Sequence, residues 1–371
     1  MPGTKKKPPF RADHVGSLLR TPELLAARAR KLKGEITAEQ LRTVEDAAIR
    51  KAVALQESVG LQAVTDGEYR RTFFHVDFLE RLEGVSVQGG MPIKFHSRDS
   101  EVEFSPPKLT VSGKLRHVKP IQVDDFNFLK SVTKKTPKVT IPSPTMLHFR
   151  GGRKGVDEKA YPTMEAFFKD LAGVYQQEID LLAKAGCRYL QMDDTNLAYL
   201  CDPAMRERAK QIGEDPAALP SLYARIINEA IKKRPSDMTI AVHLCRGNFQ
   251  SAWVAEGGYE PVAEVLFNEL NVDAYFLEYD DERSGDFKPL RFVPKGKTVV
   301  LGIVSSKIAQ LEAKDGLKRR IEEASKFVDM DHLAISPQCG FSSTVEGNRV
   351  TEADEIAKLR LVVEMANEVW G

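Results

Sequence analysis

Cysteine is scarce in this sequence, with four in 371 residues. So few thiols in a chain this long do not make a disulfide framework. Long apolar runs are missing too. No segment approaches the roughly 18–20 residues needed to cross a bilayer. Lys5-Lys6-Lys7 has no apolar stretch behind it, so it reads as a solvated tail rather than a secretory leader. Charge of one sign is also absent: 54 Lys+Arg against 53 Asp+Glu leave a formal net charge of +1. Such balance gives no electrostatic case for nucleic-acid or membrane partners. No G-x-G-x-x-G follows the first apolar run, which removes the dinucleotide-binding fingerprint. What remains is a soluble protein of a reducing compartment, with the cytoplasm as the expected location. Oligomeric state leaves no mark in the sequence.

What is present is alternation. Eight short β-rich runs recur: Phe10–Gly16, Leu61–Asp66, Lys138–Ile141, Arg188–Met192, Met238–His243, Ala274–Glu278, Thr298–Val304 and His332–Ser336. Helical periodicity fills most gaps, at about Ala38–Val59, Thr163–Ala185, Ser221–Arg234, Pro261–Leu270, Ser306–Phe327 and Glu352–Val369. Thr37 with Gln40, and Thr351 with Asp354, form capping-box patterns. Eight strands separated by helices predict an α/β fold, a (β/α)8 TIM barrel rather than a doubly wound sheet. Residues 84–135 break the pattern with short alternating runs punctuated by Gly and Pro. They predict an antiparallel insertion between strands two and three. The whole chain, 1–371, reads as a single TIM-barrel catalytic domain containing this insertion.

In such a barrel the C-terminal strand ends carry the chemistry. Here those ends read "HVGS", "TDGEYRR", "QMDD", "HLC", "FLE" and "SPQCG". Residues two apart on a strand face the same side, so His243 and Cys245 can aim at one point. Imidazole and thiolate together suit Zn²⁺, and Glu278 and Cys339 stand at later strand ends. H-x-C alone is equally a small packed cysteine beside a satisfied histidine. Cys187 and Cys201 lack strand-end placement and read as packing.

His243-Leu-Cys245, then "YFLE" with Glu278, then "SPQCGF" with Cys339, resembles the zinc site of the cobalamin-independent methionine synthase family. "HVGSLLR", "TDGEYRR" and "YLQMDDTNL" resemble that family's amino-acid-binding segments, in the same order, from about residue 10 to the C-terminus. The resemblance implies a single barrel matching the C-terminal catalytic half of the long enzyme. It implies His243, Cys245, Glu278 and Cys339 as ligands of Zn²⁺. It implies Val15, Gly16, Ser17, Glu68 and Asp193 as substrate-binding residues. The carboxylates of Glu68 and Asp193 would take the ammonium of homocysteine, and the amides near Gly16 and Ser17 its carboxylate. An ion pair of Glu68 with Arg70 or Arg71 is the competing expectation.

His14, Asp194 and His148 are further catalytic candidates. His14 reads equally as a general acid or a strand-end hydrogen-bonding group, and Asp194 as a support for Asp193. Two departures fall on the donor side. Ser305, Ser306 and Lys307 stand where the family has D-x-H-S. His148 and Phe149 fill the segment that carries its tryptophan. The implied activity is zinc-dependent methyl transfer to the thiol of homocysteine, from a methyltetrahydrofolate or another methyl carrier. The alternatives are a zinc-dependent alkyl transferase or lyase using another thiol, such as coenzyme M with an epoxide, and a non-catalytic zinc- or thiol-binding protein.

Overall fold

The computed structural model describes residues 5, 7–90, 92–97 and 101–371. Its strands are β1 (Ala63–Val64), β2 (Glu83–Gln88), β3 (Ile93–His96), β4 (Glu101–Phe104), β5 (Lys108–Arg116) and β6 (Thr136–Pro137). They continue with β7 (Val139–Pro142), β8 (Tyr189–Asp194), β9 (Thr239–Leu244), β10 (Ala274–Glu278), β11 (Thr298–Val304) and β12 (Leu333–Pro337). The helices are α1 (Pro22–Leu32), α2 (Ala38–Ser58), α3 (Val76–Leu79), α4 (Val123–Ser131), α5 (Met164–Ala185) and α6 (Asn196–Tyr199). After them come α7 (Pro203–Gln211), α8 (Leu219–Ile231), α9 (Ala263–Asn268), α10 (Lys314–Ala324) and α11 (Glu352–Trp370).

The strands β7 to β12 form one parallel sheet in sequence order. Such strands are covered on both faces, which is why they read as unbroken apolar runs. Two irregular positions complete the ring. At one, β1 pairs in parallel with β6, and Lys138 N donates to Val64 O at 2.8 Å, leading into β7. At the other, residues 11–13 run beside β12: Asp13 N donates to Ile335 O, and Ile335 N to Arg11 O. Thr65 Oγ1 donates to Gly16 O across the remaining gap. The result is the expected α/β barrel.

Small residues fill the barrel axis, where Ala63, Ala241, Ala274 and Ala334 meet Phe10, Val15, Tyr189, Phe276 and Val300. Lys138 is buried among them. Its Nζ lies 3.2 Å from Asp13 Oδ1 and 4.1 Å from the Phe276 ring centroid, and the Tyr189 hydroxyl donates to Asp13 Oδ2. The ammonium is thus paired and ring-stacked rather than left bare, as burial of a charge requires. Outside the staves, Leu, Ile, Val and aromatic side chains join strands to helices in one large core.

Both expected capping boxes form, at Thr37/Gln40 and Thr351/Asp354. Helix α5 starts at Thr163 and stops at Gly186, whose φ of 100° a side chain would resist. The expected first and second strands shrink to a single bridge and two residues, because side chains rather than ladder bonds hold them. The helix expected from Ser306 begins only at Lys314. Residues 305 and 306 instead spend their amides on the side chains of Glu312 and Gln338.

The insertion is antiparallel, as expected, with β2 on β5 and β3 on β4. It also contains α4. The β3–β4 hairpin is pinned to the loop after β9: His96 N donates to Trp253 O, and Trp253 N to His96 O. Its inner side packs Ile93 and Phe95 against Tyr199, Phe249 and Val254.

Candidate active site

Strand parity decides which strand-end residues face the barrel axis. On β9, Ala241 points inward while Val242 and Leu244 join the outer core. His243 therefore faces inward, and Cys245 follows just past the strand end. On β10 the inward set Ala274 and Phe276 continues to Glu278. Cys339 lies in the turn after β12. One ligand atom from each of His243, Cys245, Glu278 and Cys339 lies within 4.8 Å of the others, and all four residues are buried. No other such group of three or more occurs among the described residues.

The donor set fits a soft divalent ion. The two sulfurs are 3.4 Å apart. That is too far for a disulfide of about 2.05 Å, and close to the roughly 3.8 Å edge of a tetrahedron with 2.3 Å metal–sulfur bonds. Both ring nitrogens of His243 are buried without a hydrogen-bond partner. The hydrogen bond between the thiols leaves the proton on Cys245 and pushes Cys339 well below the ordinary thiol range. Burial, then the charge of Cys339, raises Glu278, while Lys307, Arg283 and Arg246 oppose that rise. Crowded acids of this kind favour a bound cation.

Glu278 is held from behind. Its amide donates to the Tyr259 hydroxyl at 2.9 Å, and Arg283 reaches its Oε2 at 3.5 Å. Arg246 braces the same corner through Tyr259, Gly257 O and Glu278 O.

An open cavity of about 670 Å³ lies over these ligands, walled by Val15, Ser17, Glu68, Asp193, His243, Cys245 and Cys339 among others. Glu68 sits at φ 59° in the turn after β1, with its amide donating to Asp66 Oδ1. Strained backbone of this kind persists where the surroundings fix it, often at sites of function. Thr140 and Arg71 both bond the Glu68 carboxylate, so the expected ion pair forms with Arg71. Arg71 also lies 4.0 Å from Asp193, whose Oδ1 accepts from Gln191 Nε2. Burial raises Glu68 to about 7, against the pull of Arg71. Burial raises Asp193 as well, with His243 and Arg71 opposing.

Three sequence candidates lie elsewhere. Asp194 points outward from β8, accepting from Thr145 Oγ1 and from Leu197 N, so it holds the start of α6. His148 is buried in the outer layer, 3.0 Å from the Tyr223 hydroxyl and 3.4 Å from Glu214. His14 is buried beside Lys138 and Gln56; burial first, then Lys138, lowers it to about 4. None of the three lines the cavity. Gly16 supports the wall from behind.

Cavity residues that the sequence did not single out include Tyr199, Asn248, Ser343, Arg150 and the hairpin's Phe95 and Phe104. Phe104 stacks on Phe249 with centroids 4.1 Å apart. Of the aromatic residues that follow β1, Phe73, Phe74 and His75 wall the cavity, whereas Tyr69 and Phe78 pack in the core.

The family described as "Cobalamin-independent synthase, Catalytic domain" matches residues 10–368. The chain belongs to that family. Membership bears out the resemblance carried by the strand-end motifs, and gives this cobalamin-independent synthase domain a methyltransferase-type catalytic barrel. The uncharacterized protein YxjH of Bacillus subtilis is 47% identical over 99% of this chain and 96% of its own length. A solved structure from Listeria monocytogenes, provisionally described as a vitamin-B12-independent methionine synthase, is 40% identical with a TM-score of 0.80, covering 99% of this chain and 100% of that one. A 5-methyltetrahydropteroyltriglutamate–homocysteine methyltransferase of Thermotoga sp. is 24% identical over 98% of this chain but only 45% of its own length. The synthase domain thus spans about half of that relative. No helix among the described residues is long and apolar enough to cross a membrane.

Proposed function

We propose that this chain, acting as one catalytic domain, transfers a methyl group to the thiol of homocysteine to give methionine. The observation that carries this reading is the convergence of His243, Cys245, Glu278 and Cys339, three of which wall a cavity that also holds Glu68 and Asp193. Those four residues would hold Zn²⁺. A bound zinc ion would keep the substrate thiol as a thiolate at neutral pH, where a free thiol with a pKa of about 8.5 is mostly protonated.

The chain's own residues do the rest. Glu68 and Asp193 present two carboxylates to the substrate ammonium, with Arg71 as their resident counter-ion. Arg283, Arg246 and Tyr259 fix Glu278 in place. The hairpin aromatics Phe95 and Phe104 exclude water from one side of the cavity, which strengthens the charge interactions inside. Acids at the amino end favour an amino-acid thiol over a sulfonate thiol such as coenzyme M. Membership of a catalytic family speaks against a purely binding role.

The test is zinc content and methionine formation in the purified chain with homocysteine and a panel of methyl donors. Cys245→Ala and Cys339→Ala are expected to lose at least nine-tenths of both, while Cys187→Ala and Cys201→Ala keep the metal. Full activity without stoichiometric zinc would overturn the metal assignment, and no methionine from any donor would overturn the reaction.

A further inference from the structure

The cavity is electrostatically lopsided. Its acids, Glu68 and Asp193, stand at the metal end beside Arg71. Arg150 and His75 line the same cavity where it adjoins a smaller one of about 420 Å³. A third cavity, of about 400 Å³, meets the same guanidinium beside Arg208. Among the described residues, neither smaller cavity has an Asp or Glu in its lining. Among the described residues Arg150 has no carboxylate partner. Burial weakens its hold on its proton, opposed by Tyr199 and aided by the charge of Arg208. His75 is 3% exposed, and its Nδ1 has no hydrogen-bond partner. Burial, then Arg150 and Arg71, keep that ring neutral well below the ordinary histidine range.

A partly buried guanidinium without an anion is costly, and its planar fork matches an oxyanion. A neutral imidazole beside it supplies one more hydrogen bond. The same cavity is walled by the aromatic side chains Phe74, Phe95, Phe104 and Tyr199. An amino-acid thiol engaged at Glu68 and the ligand cluster leaves the aromatic walls and Arg150 to the second substrate.

We infer that Arg150, assisted by His75, is the specificity-determining contact for an oxyanion (a carboxylate or a phosphate) on the methyl donor, whose apolar body lies along the aromatic wall. This rests on the proposed methyl transfer. It adds that the donor is an anion held at Arg150, next to the segment in which His148 and Phe149 replace the family's tryptophan.

The test pairs charged donors with truncated ones lacking the anion: methyltetrahydrofolate with methyltetrahydropterin for the carboxylate, and methylcobalamin with methylcobinamide for the phosphate. Wild type, Arg150→Met, Arg150→Lys and His75→Phe are compared as zinc-loaded full chains, with melting curves confirming folding. Arg150→Met is expected to raise KM about 10- to 100-fold for the charged member of one pair, and less than threefold for its truncated partner. Lysine should recover part of the loss, and the homocysteine KM should hold. Whichever pair responds identifies the anion. An equal effect on both members of each pair, or none, overturns the inference while leaving methyl transfer intact. If no donor yields methionine, the proposed reaction fails, and calorimetric titration of the same four compounds decides. Weaker binding of a charged compound to Arg150→Met supports the anion site; unchanged or absent binding overturns it.

Discussion

The backbone of Gly16 lies directly against the carboxylate of Glu68. A β-carbon on Gly16 would stand 2.6 Å from Glu68 Oε1 and 2.8 Å from Thr140 Cγ2, at a φ of +145° that side chains resist. The close approach lets Glu68 reach both Thr140 and Arg71 while facing the cavity.

Gly16→Ala should therefore push Glu68 out of register. Overpacking of this kind typically costs about 1–3 kcal/mol of stability. Methionine, the proposed product, should bind at least tenfold more weakly by calorimetry. Unchanged methionine affinity in a folded variant would separate Glu68 from substrate binding.

The pH dependence of methionine binding follows from Glu68. Methionine has no thiol to titrate, so the carboxyl pair dominates. Glu68, raised to about 7 by burial, must be ionised to take an ammonium. Affinity should rise as pH passes upward through 7, and be about tenfold lower at pH 6 than at pH 8. Glu68→Gln should bind weakly and flatten the profile. A wild-type profile already flat between pH 6 and 8 would assign the ammonium to another group.

Neighbouring aspartates should part company. Asp193→Asn removes a charge from the cavity and should weaken methionine binding about tenfold with little change in melting temperature. Asp194→Asn disturbs the bonds to Thr145 and Leu197 and should cost about 1–2 kcal/mol of stability, with methionine affinity held within threefold. The reverse pattern would place Asp194 at the substrate.

Glu355 sets a stability limit on the alkaline side. It is buried on α11, where its Oε2 accepts from Leu19 N at 2.8 Å, and burial raises its carboxyl to about 8. The unfolded chain releases that proton near pH 4.3. Below that value its contribution is fully present; it falls as pH rises and is lost by about pH 8. Glu355→Gln keeps a carbonyl acceptor and cannot ionise. It should melt near the wild type at pH 5 and several degrees higher at pH 8.5. Parallel melting curves at both values would refute this.

The strands that proved easiest to read were β8 to β12, where burial on both faces writes continuous apolar runs into the sequence. The first two staves were read too long. Asp13, Thr65 and Lys138 hold them through side chains, and no periodicity records such bonds. Helices α1 and α7 had visible signals, Thr21-Pro22 and Asp202-Pro203, each a cap followed by proline at the first turn. The candidate metal cluster was legible because its four residues end three strands. Parity along β8 also carried the distinction between Asp193 and Asp194, since Gln191 and Asp193 share a face that Asp194 lacks. Arg150 was not legible. Its proposed role depends on the described residues around it including no carboxylate partner, and a linear sequence does not display such a neighbourhood.

The β3–β4 hairpin joins the barrel through two backbone hydrogen bonds at Trp253 and a small aromatic cluster, yet it supplies Phe95 and Phe104 to the cavity wall. Half of the chemistry is thereby uncoupled from the other half. The proposed metal ligands and the proposed amino-acid end are written into strand ends, where most changes threaten folding. The opposite wall is a removable panel. Exchange of this panel would change what enters the cavity without altering the strand ends that gather His243, Cys245, Glu278 and Cys339.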